Sequence, residues 1–197
     1  MKVTLLNNSI VVLGASHNPS VISSYFLQKS EILKDFTEVD ESSLIITPAV
    51  SQIIFRNQTS LQLVPERLTL TSPGDSDHAA IIADHYCKTL PYIKGTGIGI
   101  NFVYDIQHFD FSSWFNNLRK VKYEKAVLYS VDIKFPFGKF VCMVKVIMVG
   151  PSQGNITFNF HLDLPSTILG EIKLVMVDEK RKCLPIAAGF INEILKD

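Results

Sequence analysis

Residues 155 to 163 read NITFNFHLD, and they alternate without a break. Ile156, Phe158, Phe160 and Leu162 fall on one side, and Thr157, Asn159, His161 and Asp163 on the other. Successive side chains of a strand point to opposite faces of a sheet. A segment so divided belongs in a sheet with one face on a core and the other in water, which is an antiparallel habit. This constrains the chain more than any other feature, because each neighbouring strand must share the same division.

Other stretches keep the period of two. Residues 3 to 15 read as a strand interrupted at Asn7 and Asn8, and residues 44 to 56 and 60 to 71 as a hairpin around RNQT. Pro65 predicts a bulge or an edge position in the second arm. Further strands are expected over 97 to 104, 126 to 135 before a PFG turn, 140 to 149 and 171 to 177. The 140 to 149 segment is apolar on both faces, as a central strand would be.

Four segments change to helical spacing. The first begins at HNPS, with Asn18 as cap and Pro19 behind it, and carries Ile22, Tyr25, Phe26, Lys29, Ile32 and Leu33 towards Phe36. The second spans about 76 to 90, capped by Asp75 or Ser76, with a stripe of Ala79, Ile82, Ala83, Tyr86 and Leu90. Asp77 suits its positive end, and Pro91 stops it. The third is DFSSWFNNLRK, capped by Asp110, with Phe111, Trp114, Phe115 and Leu118 as its stripe. Pro185 opens the last, after DEKRK as a charged turn; Ala187, Phe190, Ile191 and Ile194 form its stripe. The fold class is therefore α+β: a mostly antiparallel sheet with about four helices packed on it. It is read as one domain over 1 to 197, divided into two interlocked halves near 105 to 110.

KGTGIGINF, residues 94 to 102, invites a dinucleotide reading, because Gly95, Gly97 and Gly99 alternate. A phosphate-binding loop needs a strand, then the glycines, then a helix whose N-terminus meets the anion. Here the helix comes first and a strand follows, so the glycines predict a bulge or a close backbone crossing. No cofactor is expected.

Basic and acidic residues balance at 19 each, so no net field draws nucleic acid or anionic lipid. No apolar run reaches the length of a membrane span, and the first sixteen residues alternate like a strand rather than a signal peptide. Cys87, Cys142 and Cys183 lie apart among apolar residues, which predicts buried, reduced thiols in a cytoplasm. Apolar residues make up 47% of the chain at zero net charge, so apolar surface is expected to exceed what the helices cover. A homodimer follows as the commonest solution.

The candidate chemistry is sparse. Asn159, His161 and Asp163 in a row allow His161 to act as a base or ligand oriented by Asp163; the same row is also what a solvated sheet face looks like. His108 lies between Asp105 and Asp110 in DIQHFD, and loops collect sites, although Asp110 already serves as a cap. His78 and His85, like Asp77 and Asp84, are seven apart, too far along a helix to share one zinc ion. No metal is expected there. Asp84 and Lys88 suit a surface ion pair. His17 follows Ser16, but no nucleophile elbow surrounds that serine. Arg67 stands beside apolar alternation, able to grip a carboxylate or to act as an edge-strand charge.

Leu61, Gln62, Arg67 and Leu68 fit the pattern LQ-x-x-x-x-R-[FL]. In the order of features around them the chain resembles a sporadically distributed family of uncharacterised prokaryotic proteins that carries this signature. The resemblance implies no activity and no site residue. Three functions remain open: a non-catalytic interaction domain, a cup for a small apolar ligand, and a hydrolase-type enzyme using His161 or His108 with a nearby Asp.

Overall fold

Alternation becomes a single sheet in the computed structural model, which describes residues 1–29, 39, 41–118 and 130–195. Its strands in chain order are β1 (Lys2–Ala15), β2 (Ile45–Ile46), β3 (Ser51–Ile54), β4 (Ser60–Val64), β5 (Arg67–Pro73), β6 (Lys94–Gln107), β7 (Ser130–Phe137), β8 (Phe140–Gly150) and β9 (Gln153–Ile168). The helices are α1 (Ser24–Lys29), α2 (His78–Thr89), α3 (Phe111–Leu118) and α4 (Met176–Ile194). The sheet order is β2-β3-β4-β5-β1-β6-β9-β8-β7, and every neighbouring pair is antiparallel.

Register carries the division of faces across the whole sheet. Ile53, Leu61, Leu70, Ile10, Ile100, Phe160, Cys142 and Phe135 are successive partners from β3 to β7. The first seven are buried, and Phe135 packs against them. The next row contains Gln62, Thr69, Val11, Gly99, His161 and Val141, which point the other way. A slip of one residue in any strand would exchange the two rows, which is why the register is strongly specified.

The helices described all cover the apolar side. α2 lies against β1, β5 and α4, and α3 against β8. Phe190 of α4 stacks on Phe135 at 5.3 Å and meets Phe158 edge-on at 5.8 Å. The indole Nε1 of Trp114 donates to the carbonyl of Ile194 at 2.8 Å, tying α3 to the end of α4. Near α1, the Ser51 hydroxyl donates to Pro19 O at 2.6 Å from the same side. Among the described residues no helix packs on the opposite face.

Several expectations need correction. Residues 60 to 71 are two strands, not one: Val64 pairs with Arg67 across a turn made by Pro65 and Glu66. Proline favours the first central position of such a turn, and the turn's carbonyls accept from the amides of Gly14 and His17. The PFG turn is shifted: Phe137 still pairs with Phe140, and Gly138, at φ +56°, makes the turn with Lys139. Strand β8 is buried on one face only, with Met143 and Val149 exposed on the other.

Residues 171 to 177 form no strand. A 3-10 turn, Leu169–Glu171, is followed by irregular chain and then by α4, which contains DEKRK. Pro185 lies inside that helix instead of opening it. Its missing amide leaves the carbonyl four residues back without a helical donor. Both Pro185 and Arg181 are exposed, so the gap falls on the solvent side of the helix.

Asp77 takes the cap position of α2 and its carboxylate makes no cap bond, but the Ser76 hydroxyl, one of the two expected caps, accepts from the amide of His78 at 3.3 Å. The Ser72 hydroxyl accepts from the amide of Ala79 at 2.9 Å. The expected continuation of the first helix to Phe36, and the strand residues 126 to 129, lie outside the described residues.

Two carboxylates of α2 bind it to α4. Asp84, read as half of a surface pair with Lys88, is turned inward and accepts from the amide of Met176 at 2.8 Å, at the positive end of α4. Asp77 meets Lys180 Nζ at 2.8 Å and Arg181 at 2.7 Å. Lys180 is 1% exposed, and its ammonium also donates to the carbonyls of Asp75 and Ser76. Removing that cation takes a donor from Asp75 O and one of two partners from Ser76 O and from Asp77, so Lys180→Met should cost about 3 kcal/mol, the lower end for breaking a buried pair because Arg181 still holds Asp77. Chemical denaturation measures this; a loss below about 0.5 kcal/mol, the level of an ordinary surface change, would contradict it.

Candidate functional site

His161 and Asp163 do meet. The imidazole Nε2 stands 2.9 Å from Asp163 Oδ1 on the uncovered face of β9. The histidine side chain is 28% exposed and the aspartate 92%. Gly97 explains how the ring lies down: a β-carbon there would stand 3.1 Å from His161 Cε1 and 3.3 Å from Leu13 Cδ1. The register of β6 slips between Gly95 and Gly97, and a β-carbon on Gly95 would meet Leu169 at 2.6 Å. The glycines therefore serve a bulge and two close approaches, and β6 covers the strand expected at 97 to 104.

The remaining candidates do not join this pair. His108, exposed at φ +59°, ends β6 beyond Gln107. His161 pairs with Gly99, so His108 stands roughly 30 Å along the strand from it at about 3.3 Å per residue. Asp105 is taken by Gln107, and Asp110 caps α3 through Ser113. Arg67 pairs with Leu13, Leu13 with Gly97, and Gly97 with Asp163. Three strand spacings of about 4.8 Å thus separate Arg67 from Asp163 in the same row. Arg67 is exposed at the turn that Leu61, Gln62 and Leu68 also flank.

Asn159 lies one row from His161, and its Oδ1 is buried without a hydrogen-bond partner. It helps line an open depression of ≈ 360 Å³ with Asp132, Lys134, Met143, Lys145 and Thr157. A second hollow, of ≈ 550 Å³, opens where the ends of β1 and α2 meet the start of β6, walled by Ser16, Leu90, Pro91, Tyr92 and Lys94. Beside it His17 is buried, with Nδ1 2.7 Å from the Tyr86 hydroxyl. Burial lowers the His17 pKa, which keeps the ring neutral, and raises that of Tyr86. Ser16 has φ +69°. It bounds the hollow, whereas His17 is committed to Tyr86, so the two do not form a nucleophile and base.

Chemically this face offers one histidine with a carboxylate and, among the described residues, no third group at bonding distance. Among the described residues no three His, Cys, Asp or Glu side chains stand together as a metal site would require. The three cysteines are free and buried, and burial pushes each thiol up to about 12. No protein-family model matches the sequence, and no curated protein matches it.

The groups with the most polar commitments were missed as a set. Asp77, Asp84, Lys180 and His17 are structural, and one signal pointed to Lys180. It continues the spacing Met176, Lys180, Cys183, Ala187 and Ile191, a buried helical stripe that becomes visible once Pro185 is allowed inside the helix.

Two expectations follow. His161→Ala should cost less than about 1 kcal/mol, as for a surface residue with one exposed partner; a loss of several kcal/mol on urea unfolding would contradict the solvated reading. Burial raises the Asp84 pKa above 3.8, against the pull of its bonds to Met176 and Val177. A raised folded-state pKa contributes stability at low pH that is lost as pH rises through it. Asp84→Asn removes this contribution, so its stability relative to the native chain should improve as pH climbs from 3.8 towards neutrality. A difference that is flat across that range, or falls, would contradict the burial argument.

Proposed function

We propose that this chain is a non-catalytic interaction domain that associates with itself. The observation that supports the reading is the sidedness of the sheet: the helices described cover one face, and the other face and the β7 edge carry no cover from the described residues. That open face is not simply polar. Met143, Val149 and Ile54 are exposed on it, among threonines, asparagines and charges. Met143 and Val149 share β8, while Ile54 lies six strand positions away on β3, so the uncovered face and free edge, rather than one apolar patch, support the reading.

The three free, buried thiols suit a reducing cytoplasm. The balanced charge gives nucleic acid no purchase, and no described helix is long and apolar enough to cross a membrane. We also read the chain as two interlocked halves of one domain that meet near 105 to 110, with β1–β6 in the first and β7–β9 in the second, joined where β6 pairs with β9. The resemblance carried by Leu61, Gln62, Arg67 and Leu68 remains part of this proposal; those residues bracket the tight turn at Pro65 and Glu66.

A hydrolase-type enzyme is the second reading, and the His161–Asp163 contact is what favours it. An apolar-ligand cup has less support, because the two hollows described are open and bounded by lysines as well as apolar groups. Sedimentation equilibrium at micromolar concentration tests the first reading. The expected mass is twice 22.1 kDa; a single 22.1 kDa species throughout would overturn it.

A further inference from the structure

Strand β7 ends the sheet, and among the described residues nothing pairs with its outer edge. Its hairpin with β8 closes through Gly138 and Lys139, with Phe137 facing Phe140. In a two-residue hairpin the closing pair exchanges both backbone hydrogen bonds, and the pairs beyond it alternate. Phe135, Ile133 and Val131 therefore turn their amides and carbonyls towards β8. Ser130, Asp132, Lys134 and Pro136 turn theirs outward. The one residue in this strand without an amide hydrogen falls in the outward set, where an edge tolerates it.

We propose that this edge pairs with the same edge of a second copy, antiparallel, about a two-fold axis through Ile133. The inference rests on the self-association read above and commits it to one seam. Charge chooses the register. Centred on Ile133, Asp132 faces Lys134 of the second copy and Lys134 faces its Asp132, while Val131 meets Phe135. Opposite charges directly across a pair of strands stabilise it, and like charges oppose it. Moving the axis to Asp132 sets two aspartates face to face, and moving it to Lys134 sets two lysines face to face. The Ile133 register also makes the outward residues Asp132 and Lys134 a hydrogen-bonded pair, and it gives the outward amide of Ser130 the carbonyl of Pro136.

The two faces continue across the seam. Asp132 and Lys134 pair with Lys145 and Met143 of β8 on the uncovered side, whereas Val131, Ile133 and Phe135 pair with Val146, Val144 and Cys142 on the core side. All of the core-side residues join or pack against the apolar cluster. Each copy thus extends its neighbour's apolar layer and its polar layer in register, and a two-fold axis closes the assembly at two chains.

The test uses the full chain in four forms: native, Asp132→Lys, Lys134→Asp, and the double exchange, each sedimented at micromolar concentration beside its thermal melt. Each single exchange should weaken association at least tenfold, and the double exchange should restore it; Lys134→Asp should melt close to the native chain, while both forms that carry Asp132→Lys share a modest loss in melting because the new lysine faces Lys145. In addition, Ile133→Cys should give a disulfide-linked dimer under mild oxidation, since facing residues on the axis stand about 4.5 Å apart between α-carbons, within disulfide reach. Lys145→Cys, one strand inside the edge, should not. A native dimer that survives both single exchanges, with no cross-link in the Ile133→Cys variant, overturns the seam and leaves self-association standing. Folded single and double variants that are all monomeric overturn the register. A native chain that never exceeds 22.1 kDa overturns both.

Discussion

A strand cannot be apolar on alternate residues without handing its sheet two unlike faces, and everything in this molecule answers to that division. The row from Ile53 through Phe160 to Phe135 crosses eight strands on one side. It needs cover along its whole width, and α1 to α4 supply it from that side. Burying apolar area contributes about 25 cal/mol per Å², and the phenylalanines of β6, β7 and β9 gather much of it under α4. The opposite face receives no cover from the described residues, so its side chains must suit water, a neighbour, or both.

Holding helices on one side raises a second problem, which the polar groups solve. Where α2 and α4 meet, the start of α4 lies beside Asp84 in the middle of α2, and the start of α2 lies beside Lys180 and Arg181 of α4, so each positive helix end needs a carboxylate near it. Asp84 sits at the start of α4 and Asp77 at the start of α2, while Lys180 fills the space between Asp77 and the carbonyls of the preceding turn. Asn8 of β1 reaches the same turn, donating to the carbonyls of Gly74 and Ser76. The joint therefore fixes the helices to each other and to the middle of the sheet.

Legibility followed the strength of the local pattern. NITFNFHLD could be placed and faced from its residues alone; α3 could be placed, with Asp110 capping it as its chemistry demands, but Leu118 of its expected stripe is exposed. The glycine loop was legible by the order of its neighbours. What failed were places where a strong local rule met a tertiary override. Pro185 has the local chemistry of a helix start, yet α4 runs through it, on a face exposed to solvent where a missing helical amide is tolerated. Alternation over 171 to 177 imitated a strand, but no sheet edge stood there to receive it. The pairing of His161 with Asp163 was readable from spacing, whereas the remoteness of His108 and Arg67 depended on register, which one strand cannot reveal. Lys180 was hidden because a lone cation in a charged run looks solvated until its acceptors, a hundred residues away, are brought to it.

Strand β1 stands between β5 and β6, and that placement sets a timetable. Lys2 is paired with Gln107, a partner 105 residues later in the chain (107 − 2). A ribosome adds about 5–20 residues per second, so roughly 5 to 20 seconds separate the birth of the first strand from that of its companion. During this interval the hairpins from β2 to β5 can form, and β1 can join β5, but its other side has nothing to hold. The centre of the finished sheet is thus, until β6 emerges, an exposed border. The expected break at Asn7 and Asn8 is absent, since β1 runs unbroken from Lys2 to Ala15, but Asn7, Asn8 and Ser9 still place polar residues in the middle of that border, where they discourage a nascent chain from joining the wrong neighbour.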